Sequence, residues 1–155
     1  MVDFLVIGPV SAIIYRDIFP LIKDGNVSFG WNRVVEFENG VKFGNIRWFS
    51  NISDYCPPKL ELKKHYNEID YNRFDNYDCI NIDRIKDIPG DYMGLIGVPI
   101  TFLDSYNKRQ FDIVGFLNNG CRLDENGLQG NNGIQMTLVG RVCKYFRILI
   151  KRKIS

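Results

Sequence analysis

Phe4-Leu5-Val6-Ile7-Gly8-Pro9 decides the fold class. Four apolar residues in a row, stopped by Gly-Pro, read as a strand buried on both faces, the kind found inside a parallel sheet. Ser11 then offers a cap for a helix through Ala12, Ile13, Ile14, Tyr15 and Ile18. Pro20 kinks that helix or starts a second turn, Leu21 and Ile22 continue its apolar stripe, and Asp24-Gly25-Asn26 stops it. Residues 27–31, 34–37 and 45–50 have strand character, and Glu38-Asn39-Gly40 between the last two is a hairpin signal. Strand, helix, strand and antiparallel return make this the closing portion of an open α/β sheet.

Residues 55–91 are polar and broken, running from Cys56-Pro57-Pro58 to Pro89-Gly90, with Asp78-Cys79-Ile80-Asn81-Ile82 the one strand-like piece. So long a stretch with little regular structure suggests a functional loop or a surface wrap that holds the sheet edge. A strand at 110–116 and a short helix at 102–106 follow the apolar run 94–103. Residues 118–133, rich in glycine and asparagine, read as a loop. Residues 142–152 read as one long strand. Alternation puts Phe146, Ile148 and Ile150 on one face, and Arg147 and Lys151 on the other with Tyr145 and Leu149.

The whole chain has 155 residues, 45% hydrophobic and 25% charged, the proportions of a single globular domain. No apolar run is long enough for a membrane-spanning helix, and the apolar start lacks the basic leader and cleavage site of a secretory signal. Cys56, Cys79, Cys121 and Cys143 stand far apart, and His65 is the one histidine. These features argue against a zinc site and a disulfide framework, and for a reducing cytoplasm.

The net charge of +2 hides an asymmetry. Arg141, Lys144, Arg147, Lys151, Arg152 and Lys153 place six positive charges and no acid in residues 141–155. The remaining fourteen bases face eighteen acids, a net of −4. A basic terminal stretch suggests an anionic partner, nucleic acid first; the alternative is an edge strand kept soluble by its lysines and arginines.

Enzyme chemistry is not visible in these patterns. His65 follows Lys63-Lys64 in a polar stretch and reads as a surface histidine. Asp75, Asp78, Asp83, Asp87 and Asp91 lack calcium-loop spacing and read as solvated loop charges. There is no G-x-G and no Asn-Pro, so neither a dinucleotide fingerprint nor a phosphate-cradling turn can be claimed. No catalytic, cofactor-binding or metal residue is assigned.

Several stretches carry a resemblance. Phe4-Leu5-Val6-Ile7-Gly8 with Ile18-Phe19-Pro20-Leu21-Ile22-Lys23 is one. More specific is Tyr71-Asn72-Arg73-Phe74-Asp75-Asn76-Tyr77-Asp78-Cys79-Ile80, followed by Asp87-Ile88-Pro89, Asp91-Tyr92, Gly97-Val98-Pro99-Ile100-Thr101-Phe102-Leu103 and Tyr106-Asn107. With the closing Tyr145-Phe146-Arg147-Ile148-Leu149-Ile150, these resemble the C-terminal half of EcoRI-type adenine-specific DNA methyltransferases.

The resemblance implies an α/β fold: the C-terminal half of a class I (Rossmann-like) methyltransferase sheet with an irregular, β-rich extension. Within a single partial domain, 1–54 would be the closing part of the sheet and 55–155 the family-specific extension. The first strand would be the fifth of seven, and the turn 8–11 and the connection 31–44 would lie at the ligand-facing edge. The family's cofactor loop and its catalytic Asn-Pro-Pro-Phe motif would lie upstream of Phe4. Such a motif holds and stacks a flipped adenine.

The chain is accordingly expected to contribute DNA binding and target recognition to an adenine-N6 methyltransferase of a restriction-modification system, and to be inactive alone. S-adenosylmethionine is implied for the intact family enzyme, not for this chain. Double-stranded DNA and a separate N-terminal half are the implied partners. The DNA-binding candidates are Asn32, Arg33, Arg47, Lys144, Arg147, Lys151, Arg152 and Lys153, with Trp31 near the first two. A decayed remnant, an interaction protein without activity and an independent nucleic-acid-binding module are the alternatives. Half a sheet would also leave an apolar flank exposed, a reason to expect a partner.

Overall fold

The computed structural model describes residues 2–29, 36–42, 44–52, 56–75, 77–117, 121–124, 127–130, 138–140, 142–144 and 146–154, with the backbone alone for 121–124, 127–130 and Cys143. They belong to two compact units, Met1–Pro57 and Pro58–Ser155. The architecture is mixed α/β, with several sheets and few helices.

In the first unit, β1 (Leu5–Pro9) pairs antiparallel with β3 (Ile46–Ser50), and β3 pairs antiparallel with β2 (Ser28–Phe29), giving the order β1-β3-β2. β1 and β2 therefore run the same way on either side of a reversed strand. The connection between them holds a 3-10 helix, Val10–Ile14, and the α-helix α1, Phe19–Lys23. Ile13, Phe19, Ile22, Val27 and Phe49 are buried and form the core of this unit. Phe49 lies over Gly8, where an added Cβ would come within 3.1 Å of the ring. The hairpin signal at 38–40 holds: Glu36 bridges Lys42, and Gly40 takes φ +76°, a conformation glycine adopts without steric cost.

Two expectations fail here. β1 is not buried on both faces; Leu5, Val6 and Ile7 are 57%, 50% and 40% exposed, because β1 is the edge of its sheet. Ser11 caps no helix. Pro9 occupies the cap position without a side-chain bond, and the first turn is 3-10 and stops where Tyr15 turns extended. The β-branched Val10, Ile13 and Ile14 favour so short a turn over a sustained α-helix. Helix α1 ends where expected, ahead of Gly25 at φ +74°.

The second unit is built on a five-stranded sheet of order β4-β5-β6-β12-β7. Its strands are β4 (Arg73–Phe74), β5 (Tyr77–Asn81), β6 (Leu95–Pro99), β7 (Phe111–Leu117) and β12 (Arg147–Arg152). β5 and β6 are parallel; β12 is antiparallel to both of its neighbours, with an irregularity at Leu149/Ile150. One face carries Ile80, Ile96, Val98, Ile148 and Ile150, all fully buried. On the other, Leu149 packs with Phe74, Cys79 and Leu117. Phe102, from the 3-10 helix Ile100–Ser105, meets Phe111 edge-on at 5.3 Å.

The sheet corrects four readings. Residues 118–133 contain a hairpin, β8 (Cys121–Asp124) against β9 (Gly127–Gly130), not only a loop. The long strand at 142–152 is interrupted: β11 (Val142–Cys143) pairs with β10 (Leu138–Val139) across Gly140 at φ +57°, and β12 starts at Arg147. β12 is interior rather than an edge, so its residues are buried on both faces from Arg147 to Ile150. Finally, the region 55–91 has more than the one strand-like piece read at 78–82: β4 joins β5, and the two form one edge of this sheet.

Gly97 stands opposite Leu149 on β6, where an added Cβ would lie 2.6 Å and 2.9 Å from ring carbons of Phe74. Gly97→Ala is expected to lower the unfolding free energy by about 1–3 kcal/mol, the usual cost of overpacking. Urea denaturation followed by far-ultraviolet circular dichroism checks it.

Candidate nucleic-acid interface

The basic residues of the C-terminal stretch do not form one display. Arg147 opens β12 on the face of Leu149, which is also the face of Asn81, the last residue of β5. Its guanidinium is held on three sides. Nε donates to Asn81 Oδ1 at 3.0 Å, Nη2 to Asp83 Oδ1 at 2.6 Å, and Nη1 to the Phe146 carbonyl at 3.3 Å. Asn81 Nδ2 also donates to Asp83 Oδ1 at 3.1 Å, and Lys144 Nζ lies 3.5 Å from Asp83 Oδ2. Asp83 is thus the shared acceptor of two members of the basic stretch, its one negative charge set against their two positive ones. Partial burial pushes its carboxyl up, but the hydrogen bonds from Asn81 and Arg147 and the charges of Lys144 and Arg147 outweigh this and hold it below the ordinary carboxylate value.

The other candidates separate by environment. Lys151 is exposed, Arg152 is half-buried, and Lys153 Nζ is paired with Asp112 Oδ1 at 2.9 Å. Arg47 is buried in β3, where its guanidinium donates to the Ile46 carbonyl at 3.2 Å. Asn32, Arg33 and Trp31 lie outside the described residues. The expectation that Arg147 and Lys151 show their charge together from one strand face is therefore overturned. A strand inside the sheet buries its first residue, and here a carboxylate meets the buried guanidinium.

The aspartates read as solvated loop charges are exposed, Asp87 excepted, and they are also specific acceptors. Asp83 binds Arg147; Asp87 pairs with Lys64 at 2.8 Å and Arg84 at 3.4 Å; Asp91 accepts the Tyr66 amide at 2.7 Å and lies 3.0 Å from His65 Nδ1; Arg73 binds Asp78. The hydrogen bond from Lys64 holds Asp87 below its ordinary value and raises the lysine in return; the hydrogen bond from the Tyr66 amide lowers Asp91. The sequence signal that was available is the Asn81-x-Asp83 spacing at the end of a strand, which puts an amide and a carboxylate around one cation.

Each unit has a cleft. In the second, a polar cleft of about 400 Å³ lies at the end of β5, lined by Lys64, Tyr71, Asn72, Asn81, Asp83 and Arg84 among others. In the first, a more apolar one of about 550 Å³ lies at the carboxyl end of β1, between Ile7-Gly8-Pro9 and Lys42, Gly44, Asn45 and Ile46. Among the described residues no group of histidine, cysteine and acidic side chains could hold a metal ion. Among the same residues no helix is long and apolar enough to cross a membrane.

Residues 28–153 match the family model described as adenine-specific methyltransferase EcoRI. The chain is 35% identical over 179 residues to the Type II methyltransferase M.EcoRI of Escherichia coli, covering 97% of this chain and 50% of that protein. It is 33% identical to the Type II methyltransferase M.MgeORF184P of Mycoplasma genitalium and 30% identical to M.MpnI of Mycoplasma pneumoniae, covering 97% of this chain and 57% of each relative. The chain thus spans about half the length of the curated relatives it matches. No solved structure matches it.

The Asp83 cluster has a testable pH signature. A carboxyl held below its ordinary value stabilises the fold fully above the unfolded value of about 3.9, and that contribution is lost as pH falls through the folded value. Asp83→Asn is expected to cost about 1 kcal/mol near neutral pH, a charge-assisted bond discounted because the carboxylate keeps more than half its surface in water. The gap between the unaltered protein and the variant in urea midpoint should close as pH is lowered from about 5 to about 3. Asp87 and Asp91 titrate alike in both proteins, so the difference reports Asp83.

Proposed function

The chain belongs to the EcoRI-type adenine-specific methyltransferase family, and from that membership we propose that these residues form the DNA-binding, target-recognition part of an adenine-N6 DNA methyltransferase of the type II restriction-modification kind. The methyl donor, S-adenosylmethionine, and the adenine are handled by polypeptide outside these residues, on the same chain or a separate one. The 155 residues contain neither G-x-G nor Asn-Pro, so they lack a loop to cradle the donor and the amide–prolyl pair that would hold an exocyclic amine.

The observation that carries this reading is the order β1-β3-β2 with its reversed middle strand, and a cleft at the carboxyl end of β1. That arrangement is the closing end expected of a Rossmann-like methyltransferase sheet, whose ligands sit beyond the carboxyl ends of its parallel strands. The exposed Leu5, Val6 and Ile7 supply the second support. Aliphatics bare on both faces of an edge strand are an aggregation hazard unless another strand and its covering layer meet them. We assign that edge to the catalytic part of the enzyme.

Three results are expected. The purified chain binds duplex DNA; it shows no micromolar S-adenosylmethionine binding by calorimetry; and it transfers no tritiated methyl group to DNA. Supplying a polypeptide that carries the cofactor loop and the Asn-Pro-Pro-Phe motif restores transfer, and Val6→Lys, on the exposed edge, abolishes that restoration while leaving the circular dichroism of the chain unchanged. Tight cofactor binding by the chain alone overturns the division of labour, and absence of DNA binding overturns the recognition role.

A further inference from the structure

Gln110 holds together three segments that are far apart in sequence. Its side-chain Oε1 accepts the Leu60 amide at 2.7 Å, and its Nε2 donates to the Leu60 carbonyl at 2.8 Å. Its backbone carbonyl accepts the Lys153 amide at 2.9 Å, and its own amide closes the turn onto Asn107 at 2.9 Å. A second bond to that turn, from the Arg109 amide to Asn107 Oδ1 at 2.8 Å, keeps it in place, with Asn107 itself buried. The clamp matters for what each segment carries beside it: Lys59 next to Leu60, Lys108 and Arg109 in the turn, and Lys151, Arg152 and Lys153 at the end of β12.

The charges brought together this way are largely uncompensated. Lys59, Lys108, Arg109 and Lys151 are exposed, and among the described residues none has a carboxylate within ion-pair distance. The acids that flank these segments are already used, Glu61 by Lys63 at 3.2 Å and Asp112 by Lys153 at 2.9 Å. Arg152 adds a half-buried guanidinium whose Nε has no hydrogen-bond partner among the described residues. This contrasts with Arg147 and Lys144, which share the Asp83 carboxylate. The sequence shows only a basic tail; the fold splits that tail, setting a carboxylate against its start and tying its end, through Gln110, to segments that carry other bases.

We propose that Lys59, Lys108, Arg109 and Lys151, gathered by Gln110, form a surface that grips the phosphate backbone of duplex DNA. The proposal rests on the DNA-binding reading above and names the surface that performs it. Exposed lysines and arginines on a rigid support suit phosphates, which need positive charge and carry no sequence information; the nearby carboxylates, Asp112 opposite Lys151 in the sheet and Glu61 beside Lys59, are paired with Lys153 and Lys63. Long flexible side chains at the rim of a sheet can follow a backbone without reading base edges, so the surface supplies affinity and orientation and leaves target choice to other groups.

The test is the salt dependence of binding between the purified chain and a short synthetic duplex. In the triple variant Lys59→Ala, Lys108→Ala, Arg109→Ala, the log–log slope should flatten by about 2.7, at about 0.9 for each phosphate no longer neutralised. A control triple of exposed bases elsewhere, Arg16→Ala, Lys23→Ala, Lys86→Ala, should leave the slope unchanged, which separates a local surface from net charge. An unchanged slope in the first triple, or equal flattening in both, overturns the assignment while DNA binding itself stands. If the unaltered chain does not bind DNA, the underlying reading fails instead. Capture of anionic phospholipid vesicles that the first triple abolishes, with an unchanged DNA slope, would assign the surface to a membrane and overturn the proposal as well.

Discussion

The placement of β12 between β6 and β7 governs the second unit. Antiparallel partners on both sides satisfy its backbone, and Ile148, Leu149 and Ile150 are buried on the two faces of the sheet. That position forces Arg147 into the interior with them. A guanidinium removed from water costs stability, and a carboxylate beside it offsets part of that cost. Asp83, delivered by the end of β5 and steadied by Asn81, does so. The same packing excludes a side chain from β6 at Gly97, where Phe74 covers the backbone opposite Leu149.

The first unit has the opposite character. Its three strands enclose a small core around Ile13, Ile22 and Phe49, yet β1 presents three bare aliphatics. The proposed docking of catalytic polypeptide on this edge would cover them. The chain spans about half the length of M.EcoRI, and these residues contain no G-x-G. The proposed DNA recognition through the second unit and the proposed docking of catalytic polypeptide on the first would give the two units complementary tasks.

Much of the strand content could be read directly. Strands read at 4–7, 45–50, 78–82 and 110–116 overlap those found at 5–9, 46–50, 77–81 and 111–117, because extended segments show apolar and β-branched residues between turn signals; 94–103 read only as an apolar run, and its first half is β6. The Asn39-Gly40 turn and the stop at Gly25 were legible because they need left-handed backbone. Where the reading failed, local pattern was ambiguous. A stretch dense in glycine and asparagine can be a loop or the hairpin of β8 and β9, and alternation in residues 142–152 could not show the break ahead of Arg147. Burial of β1 was overestimated because an apolar run reports what a strand is suited to, not what lies beside it.

By itself the sequence determined the family, the two-residue period of its strands, and the accumulation of positive charge near its end. The tertiary structure decided which of that charge is free to act. Arg147 and Asp83 are 64 residues apart, and Leu60 and Gln110 are 50 apart. No local pattern states that one basic residue will be buried against an aspartate while another is left in water near a strand end that Gln110 ties to Leu60. Charge is a property of composition, but its availability depends on which distant carboxylates the chain folds against it, because ion pairing and desolvation are decided by proximity in space.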